Sequence, residues 1–212
     1  MTASTGSSSQ TVSTTFVAAV TGLSVNGYTF TADKGFPQTG FKNASFVVQL
    51  SGSSAQNSNY TWASNQAWVS VLDGVVNFNG EPTNSTKNVT ITATPKTGGS
   101  ALTYSFTVKK WFTNGGPAKV TFAEATSFCS GHGVIPMRGN LDANSRGIVG
   151  SLVSEWGYLK QGYSTSGFQE NFYWTQSPGV TLGNAVVALR YPTIGASSVL
   201  EDPNYAVCLS EL

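Results

Sequence analysis

The sequence is poor in charge and in the residue types that carry chemistry. Only 10% of its 212 residues are charged, where an average soluble domain has about a quarter, and its net charge is +1. It contains one histidine, His132, and two cysteines, Cys129 and Cys208. A neutral chain without a basic stripe does not favour nucleic acid or an anionic membrane surface as a partner. One histidine and two cysteines are also too few for a Cys/His zinc site, which takes about four ligands.

Long apolar runs are missing as well. No stretch approaches the roughly 18–20 apolar residues that span a membrane as a helix. The first ten residues, MTASTGSSSQ, have neither the basic start nor the apolar stretch of a signal peptide. We interpret residues 1–13 as a flexible linker, and we expect either a fragment of a longer protein or an export signal that lies elsewhere.

Serine, threonine, asparagine and glycine take the place of the charged residues, and 12% of the residues are aromatic. This composition is typical of secreted or surface-displayed β proteins. In such a chain, two widely spaced cysteines favour one disulfide that ties down the terminal strand, and two separate buried thiols are the alternative. Closing a loop of about 80 residues stabilises a fold by roughly 4–5 kcal/mol in the chain-entropy model.

Residues 14–112 carry the pattern of strands and turns. Side chains alternate in residues 88–95, where Val89, Ile91 and Ala93 share a face, and again in residues 102–108. Asp73 and Gly74 lie between two β-rich runs, which is a strong hairpin signal. Short strands with turns at such spacing predict an all-β sandwich.

Residues 113–212 have a mixed pattern. Thr121 and Glu124 form a capping box, and after it the helical spacing places Phe122, Ala125, Phe128 and Cys129 on one face. A second helical stretch, residues 150–159, brings Leu152, Trp156 and Leu159 onto one stripe, and strand-like segments follow at 171–176, 185–191 and 205–211. The second half is therefore predicted to be α+β, with the Cys129 helix joined to the last strand.

Both halves resemble known families. YTWASNQAWVSVLDGVVNFNG, VTITATP and YSFTVKKW resemble a bacterial immunoglobulin-like (Big) domain. TFAEATSFCSGHGVIPMRGNL, GSLVSEWGYL, FYWTQS and YAVCLSE resemble the C-type-lectin-like domain that ends intimin- and invasin-type adhesins, with Cys129 and Cys208 at the two family cysteine positions. GYTFTADKGFPQTGF resembles the penultimate domain of those adhesins. The expected fold is thus an all-β immunoglobulin-like sandwich at 14–112, followed by an α+β C-type-lectin-like domain at 113–212.

The resemblance implies a place on the bacterial surface. Adhesins of this inverse-autotransporter type carry an outer-membrane β-barrel at the N-terminus, which this sequence does not include, and display a rod of Ig-like domains. Their lectin-like tip attaches in virulence to host-surface proteins, or to a bacterial protein inserted into the host membrane. We therefore expect a monomeric adhesin tip that binds a host receptor, matrix protein or immunoglobulin, with the Ig-like domain as a rigid spacer.

Calcium-dependent sugar binding is not expected. C-type lectins that bind sugars hold Ca²⁺ with a Trp-Asn-Asp triplet among other oxygen ligands, and this sequence has no such triplet. Asp202-Pro203-Asn204 resembles a calcium motif, but it lies directly before the terminal cysteine strand, and we interpret it as a turn. Calcium-independent glycan recognition remains the alternative function, and a structural tip whose binding site lies elsewhere on the rod is the third.

An enzyme is not expected either, because the acidic residues of the second half form no motif with His132. No metal or cofactor is predicted.

The candidate partner-binding residues lie in three loop-like stretches. Aromatic and arginine side chains are favoured at the centres of protein interfaces, although an ordinary loop residue that packs locally is the more frequent case for each of these positions. The candidates are Tyr163 and Phe168 in residues 160–171, Arg190 and Tyr191 in residues 190–198, and Arg138, Asp142 and Arg146 in residues 137–147.

Overall fold

The computed structural model describes residues 18–181, 183–190 and 195–212. The predicted linker at residues 1–13 and the candidate Tyr191 lie outside the described residues. The strands are β1 (Val20–Val25), β2 (Tyr28–Thr31), β3 (Thr39–Phe41), β4 (Ser45–Leu50), β5 (Tyr60–Ser64), β6 (Val69–Leu72), β7 (Val75–Phe78), β8 (Asn88–Pro95), β9 (Leu102–Thr107), β10 (Lys110–Asn114), β11 (Phe172–Pro178), β12 (Asn184–Ala188), β13 (Gly195–Ser198) and β14 (Val207–Glu211). The helices are α1 (Phe122–Cys129), α2 (Arg138–Leu141), α3 (Leu152–Trp156) and α4 (Leu159–Gly162).

The first half is a two-sheet sandwich, as predicted. One sheet has the order β2-β1-β4-β7-β6 and the other has the order β5-β8-β9. Val48 and Phe78 of the first sheet share one buried core with Ile91 and Phe106 of the second. The predicted alternation therefore does place one side of each strand against the opposite sheet.

The Asp73–Gly74 hairpin is confirmed. Leu72 of β6 pairs with Val75 of β7 across a two-residue turn, in which Asp73 has φ 47° and Gly74 has φ 75°. Positive φ at both central residues is the geometry that matches the twist of the two strands.

The predicted capping box and disulfide are also present. The Thr121 hydroxyl accepts from the Glu124 N–H at 3.3 Å, and the Glu124 carboxylate accepts from the Thr121 N–H at 2.8 Å. Cys129 at the end of α1 is bonded to Cys208 in β14. Phe128, however, is not on the buried face: it is 36% exposed and its ring packs against His132 with centroids 4.8 Å apart.

The second helical stretch is broken where one helix was predicted. Gly157 has φ 78° and ψ −141°, so the backbone turns between α3 and α4. Leu152, Trp156 and Leu159 are nevertheless all fully buried. The stripe was predicted correctly, but a glycine conformation that other residues rarely adopt interrupts its helix.

The sheet β11-β12-β13 lies between two sets of buried side chains. Trp174 and Val186 pack with Cys129, whereas Tyr173 and Val187 join the core that continues into the sandwich. Residues 195–198, which were predicted as loop, form β13 and pair with β12.

One strand belongs to both halves. β10 pairs antiparallel with β14, where Phe112 is opposite Leu209, and it pairs parallel with β3, where Trp111 is opposite Gly40. Position 40 requires glycine, because a Cβ there would lie 2.8 Å from the Trp111 ring. The predicted boundary between 112 and 113 remains a prediction, and this strand crosses it.

Candidate binding surface

Tyr163 and Phe168 lie in the contact between the two halves and are not presented to a partner. Tyr163 is 6% exposed and Phe168 is 1% exposed. Both rings pack edge-on against Phe41 of β3, with centroid distances of 5.1 Å and 5.3 Å. Their prediction as exposed contact residues is wrong, because the loop that carries them folds onto the sandwich.

A buried carboxylate ties the same two halves together. Glu155 in α3 is fully buried, and its Oε1 accepts from the N–H groups of Gln38 and Gly150 at 2.9 Å and 2.7 Å. Its Oε2 accepts from the N–H and the hydroxyl of Thr39, and that hydroxyl in turn accepts from the Trp156 indole N–H at 2.9 Å. Burial raises the pKa of the Glu155 carboxyl, while these hydrogen bonds oppose the rise.

Arg146 strengthens this contact from the other side. Its guanidinium donates to the backbone oxygen of Glu155 at 2.6 Å and to that of Val25 in β1 at 2.9 Å. It also lies over the ring of Tyr28, 5.1 Å from the centroid. Arg146 therefore joins the two halves, and the prediction that it faces a partner is not supported by its contacts.

Asp142 is likewise buried, at 3% exposure. Its Oδ1 accepts from the Asn144 N–H at 2.9 Å, which closes a local turn after α2. A carboxylate used in this way is inaccessible to a partner, so its prediction as a contact residue is corrected.

Arg138 is exposed, as a binding residue must be. It begins α2, and its backbone N–H donates to the Ser177 hydroxyl at 2.9 Å. Its side chain borders a concave surface of about 340 Å³. We call this surface the Arg138 groove; it is lined by Arg138, Ser177, Pro178, Val180, Thr181, Ala185, Gly195 and Ala196.

Arg190 borders a second concavity, of about 490 Å³, together with Glu170, Asn171, Phe172 and Ala188. Arg190 itself is half-buried. Of the six predicted contact residues within the described ranges, Arg138 and Arg190 border these two concavities.

Sequence reasoning missed two kinds of residue at the candidate surface and at the contact between the halves. Val180, at 93% exposure, lines the Arg138 groove, and Met137, at 52% exposure, precedes Arg138 in the sequence. The signal for Val180 was an apolar residue in a Pro-Gly-rich turn. Glu155 was missed as an interdomain contact, although the apolar residues on both sides of it indicated a buried segment.

Known proteins match this chain in both sequence and fold. Residues 21–106 match the family model described as Invasin, domain 4. The chain is 37% identical over 199 residues to the inverse autotransporter adhesin YeeJ of Escherichia coli K12, which covers 90% of this chain. It is 33% identical over 162 residues to invasin of Yersinia enterocolitica, which covers 74% of this chain. The crystal structure of invasin, described as a bacterial integrin-binding protein, superposes with a TM-score of 0.81 and 29% identity over 92% of this chain and 40% of that one.

The chain belongs to the intimin/invasin family of adhesins. The relatives are adhesins and not enzymes, which confirms the prediction that this adhesin is not an enzyme. Intimin, in a complex with the intimin-binding domain of its translocated receptor Tir, has the same fold, with a TM-score of 0.65 at 19% identity over 91% of this chain and 66% of that one. The adhesin spans 8% of the length of YeeJ and 19% of the length of Yersinia invasin.

The described part of the chain contains no group of three or more His, Cys, Asp or Glu residues placed to hold a metal ion. No helix within it is long and apolar enough to cross a membrane.

Proposed function

We propose that this adhesin is displayed on the bacterial surface and binds a host-surface protein through its lectin-like half, without calcium. The Ig-like half serves as a rigid support. The observation that carries the proposal is the contact between the two halves, which we call the joint. The polar and aromatic residues on one side of the lectin-like half are used in this contact. The Arg138 and Arg190 surfaces remain for a partner.

The joint supports the spacer role. β10 pairs with strands of both halves, and the Glu155 carboxylate and the Arg146 guanidinium each bond across the contact. The rings of Tyr163 and Phe168 fill the space between these polar contacts. Such a combination of a shared strand, buried hydrogen bonds and aromatic packing resists bending better than a flexible linker does.

The named relatives support a protein partner. The invasin whose structure matches is described as integrin-binding, and the intimin structure was determined with the intimin-binding domain of Tir. For this adhesin we propose Arg138 and Arg190 as contact residues.

Calcium independence is proposed because the calcium-like motif, Asp202-Pro203-Asn204, has a structural role. The Asn204 amide donates to the Ser198 hydroxyl at 3.0 Å, and the Asn204 backbone forms a two-way bridge with Val120. Because both the side chain and the backbone of Asn204 are used in these hydrogen bonds, we interpret the motif as a structural turn.

One observation favours the glycan alternative. A concave surface of about 430 Å³ between the halves is lined almost wholly by amide and hydroxyl side chains, with Asn77 directly opposite Ser45 and Ser70 on the neighbouring strands. Neutral groups that both donate and accept are suited to sugar hydroxyls.

The test is the binding of the labelled adhesin to host cells that have been treated with protease, with glycosidase or with a chelator in the medium. We expect protease to abolish binding and the other two treatments to leave it unchanged. Arg138→Ala with Arg190→Ala should weaken binding about 10-fold or more, whereas Lys34→Ala, an exposed cation on the Ig-like half, should not.

Each alternative has its own outcome. Binding that is lost with glycosidase and with Asn77→Ala, but survives protease, would replace the protein partner by a glycan. Loss of binding with the chelator would contradict the calcium-independent mode.

A further inference from the structure

We propose that β13 is a docking edge that accepts an extended segment of a protein partner as an added strand, with an acidic side chain of that segment held by Arg138. This inference rests on the proposed binding of a host protein and names the kind of segment that is bound.

The first observation is the open edge. β13 pairs with β12 from Gly195↔Val187 to Ser198↔Asn184, and within the described ranges it pairs with no other strand. In an antiparallel ladder, alternate N–H and C=O groups of an edge strand therefore point away from the sheet. Among the described residues, those groups have no further backbone partner, so we expect them to accept an added strand.

The second observation is the composition of that edge. Natural edge strands are blunted by lysine, proline, bulges or a covering element. β13 reads Gly-Ala-Ser-Ser, it has no charge and no proline, and both Gly195 and Ala196 are exposed. The segment therefore carries neither the charge nor the proline that blunts an edge.

The third observation is the cation beside the edge. A Cβ built on Gly195 would lie 3.4–3.5 Å from three guanidinium atoms of Arg138, so the guanidinium lies on the side of the sheet to which residue 195 would point. Among the described residues the guanidinium forms no ion pair and no hydrogen bond. In an added strand, the residue opposite Gly195 projects to the same side, where Gly195 contributes no side chain and the Arg138 guanidinium lies.

These three observations define the partner segment. Its backbone bonds to β13, its side chain opposite Gly195 is Asp or Glu, and the next side chain on that face is small or apolar to fit between Val180 and Pro178 in the Arg138 groove. A carboxylate is the expected group because it accepts two parallel N–H bonds from a guanidinium.

The test uses a defined probe. An eight-residue peptide of alternating valine and threonine with one central aspartate is titrated into the ¹⁵N-labelled, oxidised adhesin. We expect amide shifts and slowed hydrogen exchange at residues 195–198. Replacing the aspartate by asparagine, or Arg138 by alanine, should weaken binding about 10- to 100-fold, whereas Lys119→Ala, an exposed cation outside the groove, should have no effect.

Two further reagents separate strand addition from simple side-chain binding. A peptide that is N-methylated at alternate residues keeps its side chains but cannot pair along one edge, and both alternations are tested. We expect at least one of them to lose binding. Gly195→Val fills the space opposite the aspartate and should also weaken binding, with an unchanged unfolding temperature as its control.

The outcomes distinguish this inference from the proposed function. If both N-methylated peptides bind as well as the parent, or if no aspartate peptide binds while the adhesin still binds host cells, the docking edge is refuted and adhesion stands. If the peptide adds at residues 195–198 but the adhesin binds no host cell, host adhesion is refuted and the edge site stands.

Discussion

Glu155 shows how one residue can hold two domains together. The carboxylate is fully buried, and the donors around it are the N–H groups of Gln38, Thr39 and Gly150 and the hydroxyl of Thr39. A carboxylate accepts at both oxygens, so it satisfies every one of these donors. Removing it would leave buried polar groups of both halves without partners.

We predict that Glu155→Gln destabilises the adhesin by about 2–4 kcal/mol. The amide has one oxygen, and its NH₂ group would face N–H donors wherever the side chain is placed. Chemical denaturation measures the change, with Glu201→Gln, an exposed loop position, as the matched control. An effect of Glu155→Gln no larger than that of the control would show that the carboxylate does not hold the joint.

Arginine residues illustrate the limit of sequence reasoning about the binding surface. Arg138 and Arg146 occur in one polar stretch, eight residues apart, and were predicted to have the same role. Arg146 is fixed by the backbone oxygens of Val25 and Glu155, whereas Arg138 faces an open groove. That difference depends on contacts over 121 residues of sequence, which no local pattern records.

At the scale of secondary-structure elements, the sequence was sufficient to predict those features that neighbouring residues determine. The alternation of β8, the Asp73–Gly74 turn and the capping box of α1 are all set by neighbouring residues, and all were predicted. The break at Gly157, the parallel pairing of β3 with β10 and the strand β13 were not predicted, because distant segments decide them. The prediction that the rings of Tyr163 and Phe168 are exposed was wrong for the same reason, since their partner Phe41 lies far away in the sequence.

The β6–β7 hairpin gives a prediction at this scale. Gly74→Ala forces alanine to φ 75° and places its Cβ 2.1 Å from the amide nitrogen of buried Asn57, which donates to the Val48 oxygen. We expect a loss of stability of about 3 kcal/mol, from left-handed strain and from the displaced amide.

Gly98 provides the matched control for that variant. It has φ 88°, and a Cβ there would meet nothing within 4 Å. Gly98→Ala should therefore cost about 1 kcal/mol, from backbone strain alone. Equal melting temperatures for the two variants would show that the contact with Asn57 adds nothing.

The whole molecule is held by two kinds of long-range connection. One hydrophobic core runs from Val48 and Phe78 of the sandwich through Trp156 to Tyr173 and Val207 of the lectin-like half. A disulfide with a sequence separation of 79 then joins α1 to the last strand, and that strand pairs with β10. An unfolding event in either half would expose part of a core that belongs to both.

This shared core predicts a single unfolding transition for the oxidised adhesin. By calorimetry the measured enthalpy should equal the van't Hoff enthalpy, because neither half retains its core without the other. Weakening the joint should separate the unfolding of the two halves. In a double variant, Glu155→Gln replaces one of the two acceptor oxygens that bond Gln38, Thr39 and Gly150, and Asn26→Ala removes the amide that donates to the Trp156 oxygen at 3.0 Å. We expect that variant to unfold in two steps, with hydrogen exchange assigning the earlier step to one half. Two resolved transitions in the unmodified adhesin would instead mean that its halves are independent bodies, and the rigid-support role proposed for the Ig-like half would then fail.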